Sequence, residues 1–295
     1  MPGAFDHHDP RFAHVTGPDP ALELVLEVDA HEGPVYAADE DALYVTSLPP
    51  SAIRRIALDG ARFPVAPSAL TTPFPDANRA NGMAMDRDGR LVVCEQGAME
   101  TPARIRRIDR RGGPGETLVD AFEGAPLNSP NDVIVAADRS VWFTDPSYGH
   151  VQGFRPPPAL ADRVYRHDPA TGATRAVADG FDKPNGLALS PDGRTLYVGD
   201  SGADQEPGRV PRRRPHHIEA FTVGTGGALS GRRVFAVVEE GVPDGMAVDA
   251  AGRLFSTFAG GVEVRDPDGA LLGAIRLPGA VNLTFGGPGL NVLFI

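Results

Sequence analysis

Apolar and polar positions alternate along the chain in short runs, and the runs come in pairs separated by a turn. Residues 129–149 (SPNDVIVAADRSVWFTDPSYG) show the plan: a polar turn, an apolar strand, an Asp-type turn and a second apolar strand. The plan returns where Asn81 opens NGMAMDRDGRLVVCEQG, Asn185 opens NGLALSPDGRTLYVGDSG and Asp244 opens DGMAVDAAGRLFSTFAGG. The sequence therefore predicts a repeat of strand pairs.

Two weaker copies, opened by Glu32 and Asn282, bring the number of repeats to six. The opening residues follow one another at intervals of 38 to 59 residues, which is typical of four-stranded propeller blades. We expect an all-β fold, a six-bladed β-propeller over residues 21–295, preceded by an N-terminal arm at residues 1–20. The run LELVLEV at residues 22–28 is predicted to be a strand that completes the last blade and closes the ring.

Composition agrees with an all-β protein. The 35 Gly and 29 Pro are suited to many chain reversals, and the formal net charge of −11 argues against nucleic acid and anionic membranes as partners. Cys94 is the only cysteine, which excludes an internal disulfide and a cysteine-based zinc site. The N-terminus lacks the pattern of a signal peptide, and a cytoplasmic location is expected.

The six opening residues, or openers, carry the candidate chemistry. The innermost strand of each propeller blade begins beside the central channel, so residues at equivalent repeat positions converge there. The openers are Glu32, Asn81, Asn131, Asn185, Asp244 and Asn282. All six offer oxygen atoms, which hard divalent cations prefer, so one metal ion is predicted in the channel. Ca²⁺ is expected first, with Mg²⁺, Mn²⁺ and Zn²⁺ as alternatives.

A simpler interpretation competes for each single Asn-Gly or Asp-Gly pair, because Asn and Asp are also good turn formers. Glu32 favours the metal site, since Glu is a poor turn former and a buried carboxylate needs a compensating cation or hydrogen-bond donors.

Several motifs together resemble one family. The EGP opener, SPND followed by FTDPSYG, PNG-x-A-x-SPDG-x-x-LYV, PDGMAVD-x-x-G and the terminal TFGGP are similar to those of the gluconolactonase, senescence-marker and luciferin-regenerating-enzyme family. The resemblance covers roughly residues 22–295. It implies a six-bladed propeller that holds one catalytic divalent metal in its channel and hydrolyses lactones.

The resemblance also implies roles for particular residues. Glu32, Asn185 and Asp244 match the family's metal ligands, and Asn131 matches an Asn that contacts metal or substrate. Asp244 would also be the base that activates water. Some sugar-lactonase members carry an Arg where this chain has Ser129, which puts sugar-lactone recognition of that type in question.

Further substrate contacts are expected around the channel opening. Asn81, Ser129 and Asn131 are candidates at the openers, and Glu95, Tyr148 and His150 are candidates for the rim. A Pro-rich insertion at residues 150–163 and a second insertion at residues 203–217 are of the kind that covers a binding face.

The predicted function is hydrolysis of a small-molecule lactone. Three alternatives remain open: a phosphotriesterase-type hydrolase, a pathway-specific enzyme on the same fold, and a non-catalytic ligand-binding propeller.

The last blade is short, because NVLFI alone follows its turn, so an apolar edge is expected there. A homodimer is the predicted cover for that edge.

Overall fold

Antiparallel sheets of four consecutive strands repeat along the chain in this computed structural model, which describes residues 3–58, 60, 62–206, 208 and 213–295. The first two sheets are β2 (Glu32–Ala37), β3 (Ala42–Ser47), β4 (Ala52–Ala57), β5 (Leu70–Phe74) and β6 (Ala80–Met85), β7 (Arg90–Glu95), β8 (Arg104–Asp109), β9 (Glu116–Val119). An N-terminal strand β1 (Phe5–His7) and helix α1 (Phe12–Thr16) precede them, and a small hairpin of β10 (Ala121–Phe122) and β11 (Ala125–Pro126) follows.

Three more sheets complete the series of four-stranded blades. Blade three has β12 (Val133–Val135), β13 (Val141–Asp145), β14 (Arg163–Asp168) and β15 (Ala173–Ala178), with helix α2 (Tyr148–Val151) after its second strand. Blade four has β16 (Pro184–Leu189), β17 (Thr195–Asp200), β18 (His217–Val223) and β19 (Leu229–Val237). Blade five has β20 (Met246–Val248), β21 (Leu254–Phe258), β22 (Gly261–Arg265) and β23 (Leu271–Arg276), and a two-stranded sheet of β24 (Thr284–Gly286) and β25 (Val292–Phe294) follows it.

The first strands of the sheets lie side by side in a ring. Strand β2 contacts β6, β6 contacts β12, β12 contacts β16 and β16 contacts β20. Strand β24 contacts both β20 and β2, which closes the ring. The prediction of an all-β propeller arrangement is confirmed.

The prediction of six blades is wrong: the described residues form five blades, and a two-stranded sheet stands between the fifth and the first. The expected strand at 22–28 does not form. Its partly buried side chains Val25, Leu26 and Val28 include sequence neighbours, so the segment has no single buried face of the kind a strand presents. These side chains pack over the cluster around Phe294 without joining a sheet.

The N-terminal segment instead extends blade five. Strand β1 pairs antiparallel with β23, placing Phe5 opposite Ile275, and covers an outer edge that would otherwise be unpaired. Phe12 of helix α1 is fully buried in the cluster that contains Phe255 and Leu272. Within the predicted arm, residues 5–16 are therefore docked on the propeller.

Each apolar cluster combines side chains from neighbouring sheets. Trp142 of blade three packs with Leu196 and Phe221 of blade four. Phe294 is buried against Tyr36 and Phe63, with ring centroids 6.3 and 6.1 Å away. The last strand is thus covered within the chain at this residue, where the sequence predicted an open apolar edge. The homodimer stays a prediction.

Of the helices in the described ranges, none is both long and apolar enough to cross a membrane.

Candidate functional site

The openers meet where the inner strands begin, and successive openers are joined by main-chain contacts. Gly82 N donates to the carbonyl of Asn131 at 2.8 Å, and Gly245 N donates to the carbonyl of Val281, the residue before Asn282, at 2.8 Å. The Thr144 hydroxyl donates to the carbonyl of Asn185 at 2.8 Å. The predicted convergence of the openers is therefore present in the structure. We call this side of the propeller the opener face.

Glycine after an opener allows this close approach. At Gly33 (φ 56°) an added Cβ would lie 2.5 Å from the Asn81 carbonyl oxygen, and at Gly82 it would lie 2.6 Å from that of Asn131. Any side chain at either position would push the inner strands apart. The Gly in the sequence motif thus serves ring packing as well as turn formation.

Glu32 is a buried carboxylate at the closure of the ring. Its Oε2 accepts hydrogen bonds from Asn282 Nδ2 at 2.7 Å and from Gly33 N at 3.0 Å. Burial, followed by the negative charges of Asp244 and Asp132, raises the pKa of Glu32 well above its usual value. Two donors only partly offset these costs, so the site favours a positive charge nearby.

Asp244 shares this electrostatic environment. Burial raises the pKa of Asp244 to about 7, with further contributions from Asp132 and Asp204, and a hydrogen bond with Asn185 opposes the shift. By surface area the residue is only half-buried, although protein atoms surround its carboxylate. A group with this pKa can take up and release a proton near neutral pH.

Among the described residues, no hydrogen-bond donor is found for two carboxamide oxygens of the openers. Asn81 Oδ1 and Asn185 Oδ1 are both buried and unpaired in the described structure. Buried polar atoms are rarely left without a partner, and a bound ion or water is a common explanation. Together with the carboxylates of Glu32 and Asp244, these oxygens fit a hard divalent cation.

The openers offer carboxylate and carboxamide oxygens, and none of them is a His or Cys of the kind that binds softer metals. No group of three or more His, Cys, Asp and Glu side chains suited to holding a metal occurs in the ranges described above. A metal site here would therefore depend on carboxamide oxygens as well as carboxylates, and the predicted metal stays a prediction.

Asp132 belongs to the site and was missed by the sequence analysis. It is buried, its Oδ1 accepts from Val133 N at 2.9 Å, and its Oδ2 lies 3.3 Å from Leu187 N on the next inner strand. Burial raises the pKa of Asp132 to about 7. The sequence did contain a signal for Asp132. It directly follows the opener Asn131, at the position where four of the other openers are followed by Gly.

Three buried threonines were missed as well. Their hydroxyls bind carbonyls at or directly before an opener: Thr46 Oγ1 donates to the Glu32 carbonyl at 2.9 Å, and Thr257 Oγ1 lies 2.8 Å from the Val281 carbonyl. Thr144 forms the equivalent contact described above. All three stand near the end of a second strand, in YVTS, FTDP and STFA, which was the usable sequence signal.

Tyr148 lies close enough to Asp244 for the two groups to interact electrostatically, and its predicted contact with substrate stays a prediction. Its hydroxyl hydrogen-bonds the Ser201 hydroxyl, and burial and the charge of Asp244 raise the pKa of Tyr148 well above its usual value. Ser201 Oγ in turn donates to the carbonyl of Pro243, directly before Asp244. His150, two residues further along the same helix, is exposed.

Glu95 and Ser129 have protein partners instead of open surroundings. Glu95 is buried, and its oxygens bind Arg104 Nε at 2.6 Å, Asn78 Nδ2 at 3.0 Å and Arg106 at 3.3 Å. Ser129 Oγ donates to the Pro146 carbonyl at 2.7 Å and accepts from Gly149 N at 2.9 Å. Both residues hold neighbouring loops in place, and their predicted contacts with substrate stay predictions.

Surface clefts lie elsewhere on the molecule. One of ≈ 810 Å³ is lined by strand β15 and the β10–β11 hairpin, and one of ≈ 250 Å³ lies between the turns of blades two and three. None of the openers lines either cleft. We place the candidate site at the openers, because the unpaired oxygens and the shifted carboxylates are there.

The fold and the site together define the class of this protein. It is a β-propeller with a ring of oxygen donors at its centre. Residues 30–295 match the model of the SMP-30/gluconolactonase/LRE-like region. The chain belongs to this family, which confirms the resemblance found in its sequence motifs.

Individual relatives extend over most of the chain. It is 28% identical to a gluconolactonase from Zymomonas mobilis subsp. mobilis over 289 residues, covering 92% of this chain and 77% of the relative. It is 30% identical to a pentonolactonase from Haloferax volcanii over 275 residues, covering 90% and 80%. A solved gluconolactonase structure from Xanthomonas campestris superposes with a TM-score of 0.82 at 36% identity, covering 98% of this chain and 90% of the other.

Proposed function

We propose that this protein is a lactone hydrolase whose active site is the ring of openers. The observation that carries the proposal is the pair of buried, unpaired carboxamide oxygens of Asn81 and Asn185 beside the carboxylates of Glu32 and Asp244. A scaffold needs no such arrangement, since unpaired buried oxygens and clustered acids cost stability. The named activities of the gluconolactonase and pentonolactonase relatives support the choice of a lactone as substrate.

We further propose that Glu32, Asn131, Asn185 and Asp244 hold one divalent cation, with Ca²⁺ as the first candidate. When bound, the cation supplies Lewis-acid polarisation of the carbonyl oxygen. Asn81 Oδ1 remains as an acceptor for a substrate hydroxyl or a bound water.

Asp244 takes the proton of the attacking water in this proposal. Water attacks the lactone carbonyl carbon, the ring C–O bond breaks, and the proton passes from Asp244 to the leaving alkoxide, which yields a hydroxy acid. The negative charge of the buried Asp132 carboxylate raises the pKa of Asp244 and so favours its protonated form.

Tyr148 and Ser201 position these reacting groups. The Ser201 hydroxyl hydrogen-bonds both the Tyr148 hydroxyl and the Pro243 carbonyl. These two bonds connect the start of the first insertion to the backbone that carries Asp244. A fixed Tyr148 and Asp244 reduce the freedom of the substrate and the attacking water.

Release of acid from glucono-δ-lactone, measured with a pH indicator, tests the proposal. EDTA should abolish the activity, and Ca²⁺, Mg²⁺ or Mn²⁺ added singly should restore it and identify the metal. Asn185→Ala should lower kcat/KM on the order of 100-fold, as expected for loss of a charge-stabilising group. Asn291→Ala, at an exposed carboxamide, is the matched control and should leave kcat/KM unchanged.

Failure to hydrolyse any lactone would contradict the proposal. Turnover of an organophosphate triester by the same preparation would then favour the phosphotriesterase alternative.

A further inference from the structure

Two consecutive residues with left-handed backbone stand directly before the second inner strand. Asn78 has a φ of 45° and Arg79 a φ of 54°, which is uncommon for residues other than Gly. Such strained conformations persist where the surroundings fix them, and they concentrate at functional sites. Arg79 is two residues before the opener Asn81.

The surroundings here do fix the backbone. Arg79 N donates to Ser51 Oγ at 2.6 Å, and the Arg79 carbonyl accepts from Gln96 N at 3.2 Å. The Asn78 carbonyl accepts from Gly97 N at 3.2 Å. Contacts to blades one and two thus determine the direction in which the Arg79 side chain leaves the chain.

That side chain reaches the first insertion. Arg79 Cζ lies 4.3 Å from the centroid of the Phe154 ring. Phe154 N donates to the Gly149 carbonyl at 2.9 Å, so the ring is held against the helix that begins with Tyr148. Arg79 therefore bridges blade two and the insertion on the opener face.

Within the part of the chain that the structure describes, the Arg79 guanidinium has no carboxylate partner. The guanidinium stacks on the ring of Phe154, and no hydrogen bond from its nitrogens is found among the described residues. The nearby arginines differ: Arg104 and Arg106 bind Glu95, and Arg155 donates to the carbonyls of Ala98 and Thr101. Arg79 is half-buried, one face of its guanidinium is stacked, and its N–H donors have no partner in the described ranges.

A stacked arginine with unused donors is suited to an oxyanion. The planar guanidinium offers two parallel N–H groups to a carboxylate, phosphate or sulfonate, and the stacked ring holds the plane in one orientation. The chain has a net charge of −11 and buried acids at the openers, so an anionic substrate would otherwise be repelled from this face.

We propose that Arg79 determines substrate specificity by binding an oxyanion carried by the substrate, and that the preferred substrates are lactones with an anionic substituent. This inference rests on the proposed lactone hydrolysis at the openers. Arg79 binds the substituent, and the openers act on the lactone ring.

Paired substrates test the proposal in the full chain. The ratio of kcat/KM for 6-phosphoglucono-δ-lactone to that for glucono-δ-lactone is measured in the wild type and in Arg79→Gln. The variant should lose about 10- to 100-fold on the anionic lactone, the usual value of hydrogen bonds to a charged group, and change less than about twofold on the neutral one. Arg79→Lys should be intermediate, because it keeps the charge without the planar fork.

Arg87→Gln is the matched control. It removes the same charge at an exposed position in the turn after β6, on the opposite face of the propeller, and should leave the substrate ratio unchanged. Equal losses on both lactones, or an equal effect of Arg87→Gln, would overturn the proposal.

Product binding separates this inference from the proposed activity. Calorimetry with 6-phosphogluconate and gluconate should show tighter binding of the phosphorylated acid by the wild type and equal binding by Arg79→Gln. If neither lactone is hydrolysed, the proposed function fails, and the calorimetric difference still decides the role of Arg79.

Discussion

At the scale of single residues, buried carboxylates hold the backbone that leads into the openers. Asp145 Oδ2 accepts from Asn128 N at 2.9 Å, and its Oδ1 accepts from Ser129 N at 2.8 Å. Asn131 follows two residues later. Burial outweighs both hydrogen bonds and raises the pKa of Asp145 to about 7.

Asp145 should make stability depend on pH. Its pKa is higher in the folded than in the unfolded protein, so its contribution is fully present below about pH 4 and is lost as the pH rises through about 7. In urea unfolding with EDTA, the free energy of unfolding of the wild type should therefore fall more between pH 5 and pH 8 than that of Asp145→Asn. Equal decreases in the two proteins would show that Asp145 does not titrate in this range.

At the scale of elements, blade four repeats the same device at the end of its second strand. The carboxylate of Asp200 accepts from Asp182 N and Lys183 N, both at 2.9 Å. Lys183 also binds Asp162 of the first insertion at 2.8 Å, and Arg214 pairs with Asp182. The loop that leads into Asn185 is therefore the place where both insertions are anchored.

Asp200→Asn should loosen this loop and weaken metal binding at Asn185. An amide nitrogen would face one of the two N–H donors, which costs about 1–3 kcal/mol in the free energy of unfolding. Urea unfolding and calorimetric titration with Ca²⁺ measure the two effects. Asp192→Asn, in an exposed turn at the opposite end of the blade, is the control and should retain the affinity of the wild type for Ca²⁺. An unchanged affinity in Asp200→Asn would remove its positioning role.

At the scale of the whole molecule, the openers join all the inner strands, so a cation bound there would link every blade. The hydrogen bond from Asn282 to Glu32 closes the ring between the two-stranded sheet and blade one. The cost of gathering Glu32, Asp132 and Asp244 without a cation is borne by the whole fold.

Chelation should therefore lower the melting temperature. A ligand present at 100 times its Kd stabilises the native state by about 2.7 kcal/mol, which corresponds to a shift of several degrees. Calorimetry with and without EDTA measures the shift, and Glu32→Gln should respond less than the wild type. Identical melting curves for the wild type with and without EDTA would contradict a structural metal.

Local patterns were sufficient for the paired strands that begin the blades and for the ring of openers, but not for the number of blades. The alternation around Trp142 and the turn residues after each opener depend on neighbours in sequence, and these predicted strands that the structure contains. The equivalence of Glu32, Asn131 and Asp244 followed from the repeat, because repeated strands start at equivalent places around a channel.

Contacts between segments that lie far apart in sequence could not be predicted from local patterns. From its position in the sequence, Glu95 was predicted to lie at the rim. The tertiary structure brings Arg104, Arg106 and Asn78 to its carboxylate, which gives it a structural role. Arg79 is an ordinary loop arginine until Phe154, 75 residues further on, supplies the ring on which it stacks.

The sequence by itself determined the strand pattern, the turns and the family, because these depend on alternation and turn chemistry over a few residues. The tertiary structure alone decided that β1 covers the outer edge of blade five and that the segment 22–28 forms no strand, since both outcomes depend on residues that lie far away in sequence. It also decided that the last sheet has two strands and that Phe294 is buried. Strand pairing at a sheet edge depends on which surfaces come into contact when the ring closes. A local sequence pattern does not determine those contacts.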